Sequence, residues 1–125
     1  MANILVIEDQ EHLQQLYLVT LGQFNYGVIL AGRGDEGVAT AVRESPDLII
    51  LDLLLPDMSG LEVARKLESV GVLPDTPLII TTGLDQGDAQ AIAQSLNAAS
   101  VLVKPFSIDR MVASIRIALG AATVE

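Results

Sequence analysis

The sequence predicts an α/β fold in which helices cover both faces of a parallel sheet. Five short apolar runs alternate with five helical patterns along the 125 residues. The runs are apolar throughout, as expected of parallel strands that are buried on both faces. Only 3% of the residues are aromatic and Trp is absent, so the core must consist of aliphatic side chains. Together these observations favour a sheet covered by helices.

The arrangement of the strands follows from general rules of chain connection. Right-handed crossovers leave few orders for five strands, and 2-1-3-4-5 is the commonest doubly wound order at this size. We therefore predict a (βα)5 doubly wound parallel five-stranded sheet of the flavodoxin-like type. A chain of 125 residues can bury one core but not two. We expect one domain over residues 1–120 and a C-terminal tail over 121–125 that could begin a linker.

The strands are predicted from runs rich in Val, Ile and Leu that end in polar or turn-forming residues. In chain order they are Asn3–Ile7, Gly27–Ala31, Leu48–Leu51, Leu78–Thr81 and Val101–Val103. Each run is four residues long or close to it, which suits a buried strand better than a helix.

The helices are predicted from apolar residues that recur every three or four positions. The first helix carries Leu13, Leu16, Tyr17 and Leu21, and the last carries Ile108, Met111, Val112, Ile115 and Leu119. The three helices between them begin near Asp35, Gly60 and Gln86. Their predicted apolar faces are Val38, Ala41 and Val42, then Leu61, Ala64 and Leu67, then Ile92, Ala93 and Leu96.

The composition excludes several classes of function. The chain has 16 acidic and 7 basic residues, a formal charge of -9, so we expect no direct binding to nucleic acid. It has no cysteine, which excludes disulfides, thiolate metal sites and cysteine nucleophiles. The first apolar run is cut short by Glu8 and Asp9 and lacks a basic flank. We therefore expect neither a signal peptide nor a membrane span, and a cytoplasmic protein.

Candidate site residues come directly after the predicted strands. Ligands of doubly wound sheets bind beyond the carboxyl ends of the strands. Glu8 and Asp9 follow the first strand and Asp52 follows the third, and the predicted order makes these two strands neighbours. Three carboxylates that repel one another require a cation. Because the ligands are hard oxygens with no His or Cys nearby, Mg²⁺ fits best and Mn²⁺ is a second candidate.

This cluster favours phosphoryl transfer. A divalent ion beside a carboxylate can bring a phosphoryl donor in line and neutralise charge as the group moves onto a carboxylate oxygen. Asp52 is the candidate acceptor, and Lys104, after the last strand, would supply a second positive charge. Thr82, after the fourth strand, offers a hydroxyl that could turn toward a new phosphoryl oxygen.

Four motifs resemble those of response regulator receiver domains: ILVIEDQ, PDLIILDLLLPDMSGLEV, PLIITTG and LVKPF. The resemblance covers nearly the whole chain, and the spacings of 30 residues from Asp52 to Thr82 and 22 from Thr82 to Lys104 suit the family. It implies that Asp52 is the phosphoacceptor, that Glu8 and Asp9 bind the metal, and that the backbone carbonyl of Leu54 also binds it. It further implies that Thr82 is the switch hydroxyl, that Lys104 pairs with the phosphoryl group, and that Pro105 follows the lysine, often through a cis peptide bond.

The same resemblance implies the partners. A sensor histidine kinase or a phosphotransfer protein would donate the phosphoryl group. The face formed by the fourth helix, fifth strand and fifth helix would then change its contacts with a downstream protein or a fused output domain. A dimer that forms on phosphorylation is a further candidate. Such a domain is a phosphoacceptor switch and not an enzyme, beyond limited self-catalysed phosphotransfer and dephosphorylation.

One position departs from the family pattern. Val101, three residues before Lys104, stands where the family usually has a Tyr or Phe that rotates on activation. We therefore expect activation to be read through backbone movement of the fourth strand and fourth helix. This departure keeps open an alternative, a receiver-like interaction module that works without phosphorylation. A phosphatase that uses Asp52 as its nucleophile would be expected to carry a second acid two residues later, where Leu54 stands.

A glycine motif offers a competing function. Gly32, Gly34 and Gly37 have the G-x-G-x-x-G spacing of dinucleotide-binding loops, follow a strand and open a helix. Against this, Asp35 and Glu36 occupy the helix start where a pyrophosphate would bind, and the motif follows the second strand instead of the first. We therefore expect this segment to have no role in binding a dinucleotide.

Overall fold

Five strands and five helices alternate in the computed structural model, which describes residues 1–123, the last three as backbone only. The strands are β1 (Asn3–Ile7), β2 (Gly27–Ala31), β3 (Leu48–Asp52), β4 (Leu78–Thr82) and β5 (Ser100–Val103). The helices are α1 (Glu11–Gln23), α2 (Gly34–Glu44), α3 (Gly60–Ser69), α4 (Gln86–Ser95) and α5 (Ile108–Thr123).

The five strands form one parallel sheet in the order β2-β1-β3-β4-β5. The predicted fold class is therefore confirmed. Strands β3 and β4 each extend one residue beyond the prediction. As a result Asp52 and Thr82 are the last residues of their strands, and not the first residues after them.

The core consists of two aliphatic layers, one on each face of the sheet. One layer packs beneath α1 and α5 and contains Ile4, Val6, Ile50, Ile79 and Leu102 from the strands. The other packs beneath α2, α3 and α4 and contains Leu5, Ile7, Ile49, Leu51, Ile80 and Val101. Successive residues of a strand thus enter opposite layers, as the pleat of a strand requires.

The predicted helix faces are correct in part. Leu16, Val42, Leu61 and Ile108 are exposed by 39%, 54%, 36% and 44%, so these four residues were wrongly assigned to the core. Leu16, Val42 and Leu61 each lie one residue from a buried position, and one residue corresponds to a rotation of about 100° around the helix. Both neighbours of Ile108, at the start of α5, are exposed as well. In α1 the buried residues are Tyr17 and Leu21, as predicted, and Thr20, a polar residue that an apolar pattern cannot reveal.

The predicted domain boundary at residue 120 stays a prediction. Helix α5 continues to Thr123, and residues 124 and 125 of the predicted tail lie outside the described residues. Among the helices of residues 1–123, none is both long enough and apolar enough to cross a membrane.

Candidate functional site

Three acids meet at the carboxyl edge of the sheet, where β1 and β3 lie side by side. Glu8, Asp9 and Asp52 each offer a carboxylate oxygen, and these oxygens lie within 4.8 Å of one another. Glu8 and Asp52 are buried, with 1% and 5% of their surface exposed, whereas Asp9 is exposed. The arrangement therefore concentrates negative charge in a region where water can screen only part of it.

Lys104 brings one positive charge to this cluster from the end of β5. Its Nζ atom lies 3.0 Å from Oδ2 of Asp52 and 3.3 Å from Oε1 of Glu8. The peptide bond between Lys104 and Pro105 is cis, as the family resemblance led us to expect. One ammonium group cannot balance three carboxylates, so the site keeps an excess of negative charge.

Hydrogen bonds fix the orientation of the two buried acids. The backbone N–H of Gln10 donates to Oε2 of Glu8 at 3.0 Å. The backbone N–H of Leu54 donates to Oδ1 of Asp52 at 3.1 Å. The two oxygens of Asp52 therefore have different partners, the amide of Leu54 on one side and Lys104 on the other.

Burial and charge shift three pKa values around the cluster. Burial raises the pKa of Glu8, against the hydrogen bond from Gln10, and the nearby Asp52 carboxylate raises it further. Burial lowers the pKa of Lys104, but Asp52 and Glu8 outweigh this effect and the net shift is upward. Burial also raises the pKa of Tyr17, and the negative charges of Glu8 and Asp52 raise it further. The phenol of Tyr17 therefore stays protonated beneath the acids.

An open cavity of about 330 Å³ leads to the acids. It is lined by Asp9, Gln10, Asp52, Leu54, Leu55, Pro56, Gly83 and Lys104. Thr82 lies at the end of β4 and is 4% exposed. Its hydroxyl accepts a hydrogen bond from the N–H of Leu84 at 3.1 Å, so this hydroxyl is engaged within its own loop. The structure thus brings together Glu8, Asp9, Asp52 and Lys104, with Thr82 turned toward α4.

The sequence profile of the response regulator receiver domain matches residues 4–116. This chain belongs to the response regulator receiver domain family. Its place is in two-component signalling, where receiver domains act as switches between histidine kinases and output domains and not as ordinary enzymes.

Relatives and solved structures agree with this assignment. The response regulator ArlR of Staphylococcus haemolyticus is 35% identical over 119 residues, which cover 95% of this chain and 53% of the relative. The chain therefore spans about half the length of the curated relatives it matches. The chemotaxis protein CheY4 of Vibrio cholerae superposes with a TM-score of 0.87 at 27% identity, covering 95% of this chain and 99% of that one. The BeF3-activated N-terminal receiver domain of Klebsiella pneumoniae RstA gives 0.84 at 26% identity, covering 94% and 97%.

The donor atoms of this receiver domain fit a hard divalent cation. The clustered side chains of Glu8, Asp9 and Asp52 present carboxylate oxygens, which Mg²⁺ and Mn²⁺ prefer over nitrogen or sulfur ligands. Leu54, the fourth residue expected to bind the metal, lines the same cavity. Leu54 is 81% exposed, so this residue is open to solvent at the mouth of the site.

The glycine motif of the receiver domain has a structural role. The backbone N–H groups of Gly34 and Asp35, at the start of α2, donate to the two oxygens of Asp57 at 2.7 and 3.0 Å. These are the amides that a pyrophosphate would need, and they are already bonded to a carboxylate of the same chain. Sequence reasoning missed Asp57, because its partners lie more than 20 residues earlier and no local spacing reveals them.

Proposed function

We propose that this receiver domain accepts a phosphoryl group on Asp52 from a sensor histidine kinase or a phosphotransfer protein. The observation that supports this most strongly is the setting of Asp52. Its carboxylate is buried and lines an open cavity, with Lys104 on one oxygen and the amide of Leu54 on the other. Such a carboxylate is pre-oriented for an incoming group, which lowers the entropic part of the barrier.

In the proposed transfer, an Asp52 oxygen forms a bond to phosphorus as the bond to the donor's histidine nitrogen breaks. That nitrogen keeps the electron pair, and the product is an acyl phosphate. Lys104 lies within hydrogen-bond distance of Asp52 and would pair with the new phosphoryl oxygens. The chemistry also allows slow transfer from small phosphodonors and slow hydrolysis, both without a partner protein.

In this proposal Glu8, Asp9, Asp52 and the backbone carbonyl of Leu54 would hold Mg²⁺, or Mn²⁺ in its place. When bound, the ion neutralises charge on the phosphoryl group. It would also relieve the repulsion among three acids for which Lys104 is the one ion-pair partner found among residues 1–120.

The switch in this proposal begins at Thr82. Its hydroxyl accepts a hydrogen bond from Leu84, at the edge of the loop that leads into α4. If the hydroxyl turns to donate to a phosphoryl oxygen, that bond is lost and the loop can move. Val101 is only 6% exposed and packs in the aliphatic layer on the α4 side. We therefore propose that the face of α4, β5 and α5 responds through the backbone, without an aromatic side chain that rotates.

The proposal includes the partners that the family suggests. The activated face would bind a downstream protein or a fused output domain, and two phosphorylated copies could pair through it. The BeF3 activation of the RstA receiver domain supports a response of this kind in a structurally similar domain. We place the exchange in the cytoplasm, a proposal that rests on the family alone.

Intact mass spectrometry tests the proposal. Wild-type protein and Asp52→Asn are incubated with acetyl phosphate, with and without Mg²⁺. We expect wild type to gain the mass of one phosphoryl group when Mg²⁺ is present, and Asp52→Asn to gain none. A gain that persists in the variant, or is absent from wild type, would contradict the proposal. Partner binding that is unchanged in Asp52→Asn would favour a module that works without phosphorylation.

A further inference from the structure

Two side-chain hydroxyls of the described residues are buried without a hydrogen-bond partner. They belong to Thr81 and Ser100. Buried hydroxyls in native proteins nearly always bond to protein or to ordered water. Ser100 is the first residue of β5, at the end of the strand remote from the acids, whereas Thr81 lies in β4 at the carboxyl edge. Of the two, only Thr81 has a functional group beside it.

The sheet register places Thr81 next to the phosphoacceptor. Asp52 in β3 pairs with Thr81 in β4, and the N–H of Leu53 donates to the carbonyl of Thr81 at 3.1 Å. Side chains that are paired in this way lie on the same face, about 5 Å apart.

That shared face is the one covered by α1 and α5. Ile50 and Ile79 belong to the core layer on this side, and Asp52 and Thr81 follow them by two residues. Because strand side chains alternate, Asp52 and Thr81 face the same side, and Thr82 faces the opposite side. The two neighbouring threonines therefore approach the site from different directions.

The ion pair of the site joins the two strands that flank the strand of Thr81. Lys104 is at the end of β5, and its Nζ reaches Oδ2 of Asp52 in β3 at 3.0 Å. Its side chain must cross β4, which separates these two strands. In β4, Thr81 pairs with Asp52 on one side and with Leu102, two residues before Lys104, on the other.

The surroundings make the buried carboxylate a strong acceptor. Thr81 and Tyr17 are each 1% exposed, and Tyr17 covers this side of the sheet from α1. Asp52 itself is 5% exposed, so little solvent reaches its carboxylate from this side of the sheet. In such a setting a hydrogen bond to a carboxylate is stronger than the same bond in water.

We infer that Thr81 is a positioning residue for the phosphoacceptor. Its hydroxyl reaches the Asp52 carboxylate from the side of α1 and α5, by rotation about its Cα–Cβ bond or through one buried water. Together with the amide of Leu54 and the ammonium of Lys104, this donor holds the Asp52 carboxylate in the orientation in which it faces the cavity. The inference rests on the proposed phosphorylation of Asp52 for its functional consequence, but not for the contact itself.

The contact is tested by NMR on protein with ¹³C-labelled aspartate, in which Asp52→Asn identifies the Asp52 carboxyl resonance. Thr81→Val removes the hydroxyl and keeps the volume, and Thr81→Ser keeps the hydroxyl. Ser100→Ala is the matched control, because it removes the other unpaired hydroxyl. We expect the Asp52 resonance to shift in Thr81→Val and to stay near its wild-type position in Thr81→Ser and Ser100→Ala.

The function is tested by the rate of phosphorylation with acetyl phosphate and Mg²⁺. We expect Thr81→Val to react about three- to tenfold more slowly than wild type, since a hydroxyl that only positions the carboxylate changes the rate by about the net free energy of one ordinary hydrogen bond. Thr81→Ser and Ser100→Ala should react within about twofold of wild type, since each keeps the Thr81-side donor.

Two results would overturn the inference. One is an Asp52 resonance or a phosphorylation rate that is unchanged in Thr81→Val. The other is an equal loss of rate in Thr81→Val and Thr81→Ser, which would indicate packing of the methyl group and not hydrogen bonding. If wild type takes no phosphoryl group, the proposed function fails, and the carboxyl resonance still decides the contact. Should Thr81→Val not fold, Thr81→Ala takes its place in both measurements.

Discussion

At the scale of single residues, Lys104 lies between two buried acids, with its ammonium nitrogen 3.0 Å from Asp52 and 3.3 Å from Glu8. About a quarter of the lysine side chain is exposed, at 24%, whereas those of the two acids are almost fully covered. The charges of the two acids therefore depend on Lys104 for stabilisation, because buried carboxylates have little water around them.

Replacing Lys104 by Met should therefore destabilise the fold at neutral pH. The loss in the free energy of unfolding is expected to be about 2 kcal/mol, below the range for a fully buried pair because the lysine is partly exposed. Urea denaturation without divalent cations measures it, and Lys66→Met on the exposed side of α3 is the control. Equal stability of the two variants would contradict the proposed charge balance.

The convergence of Glu8, Asp52 and Lys104 could be predicted from the sequence. Parallel strands end at one edge of the sheet, and the strand order makes β1 and β3 neighbours, so residues at those ends must meet. Thr81 and Asp57 could not be found in this way. The position of Thr81 depends on a register set by packing, and Asp57 acts on a helix start that is distant in sequence.

At the scale of elements, α3 begins close beneath the end of β3, where Asp52 lies. Ser59 and Glu62 form a capping box that fixes the start of the helix at Gly60. A Cβ atom on Gly60 would lie 2.7 Å from the Cα of Leu53 and 2.9 Å from the carbonyl oxygen of Asp52. Both contacts are with backbone, which cannot move aside without displacing Asp52.

Gly60→Ala is therefore expected to lower the free energy of unfolding by about 1–3 kcal/mol, the usual cost of overpacking. Gly22→Ala in α1 is the matched control, since a Cβ there meets no atom within 4 Å. The control should be neutral or stabilise the protein by up to about 1 kcal/mol, because Ala is the better helix former. Thermal and chemical denaturation distinguish the two, and similar effects at both positions would count against the close approach of α3.

Asp57 joins the loop after Asp52 to the start of α2. The hydrogen bonds from the amides of Asp35 and Gly34, followed by the charge of Arg33, lower its pKa from 3.8 to about 2. A carboxyl group whose pKa is lower in the folded state stabilises the fold above its ordinary pKa. That stabilisation is lost as the pH falls from near 4 toward 2.

We expect Asp57→Asn to lower the melting temperature at pH 7 and to flatten its decline between about pH 4 and pH 2. The asparagine can accept a hydrogen bond from α2 but carries no charge to lose. Thermal unfolding followed by circular dichroism across this pH range measures both effects. Parallel curves for wild type and variant would show that Asp57 does not hold α2 through its charge.

The elements differ in how well the sequence predicts them. The strands were found because buried parallel strands are apolar throughout. The core face of α2 was predicted only in part. Ala41 is buried and Val38 packs against the core, but the helix also buries Gly34, Gly37 and Thr40. A Cβ atom on Gly37 would lie 2.6 Å from Ile7, so α2 packs on β1 through small residues. An apolar pattern favours Val42 for this role, and Val42 is exposed.

At the scale of the whole molecule, the acidic site and the proposed partner-binding face lie in different parts of the sheet. The acids lie at the ends of β1 and β3, and Lys104 reaches them from the end of β5. The proposed partner-binding face consists of α4, β5 and α5, and β5 is the edge strand. β4 lies between β3 and β5, and it carries Thr81 and Thr82 on opposite faces of the sheet. Fold class and strand order could be predicted at this scale, because connection rules leave few alternatives. The output partner could not, since its recognition depends on surfaces that no internal pattern constrains.

Whether Asp52 is the phosphoacceptor is tested most directly by reductive trapping. Borohydride converts an aspartyl phosphate to homoserine, and tandem mass spectrometry of the digested protein then locates the modified residue. After incubation with acetyl phosphate and Mg²⁺, homoserine is expected at position 52 and at no other acid. Homoserine at position 9, or an unmodified position 52 in protein that has gained phosphate, would contradict the assignment of Asp52.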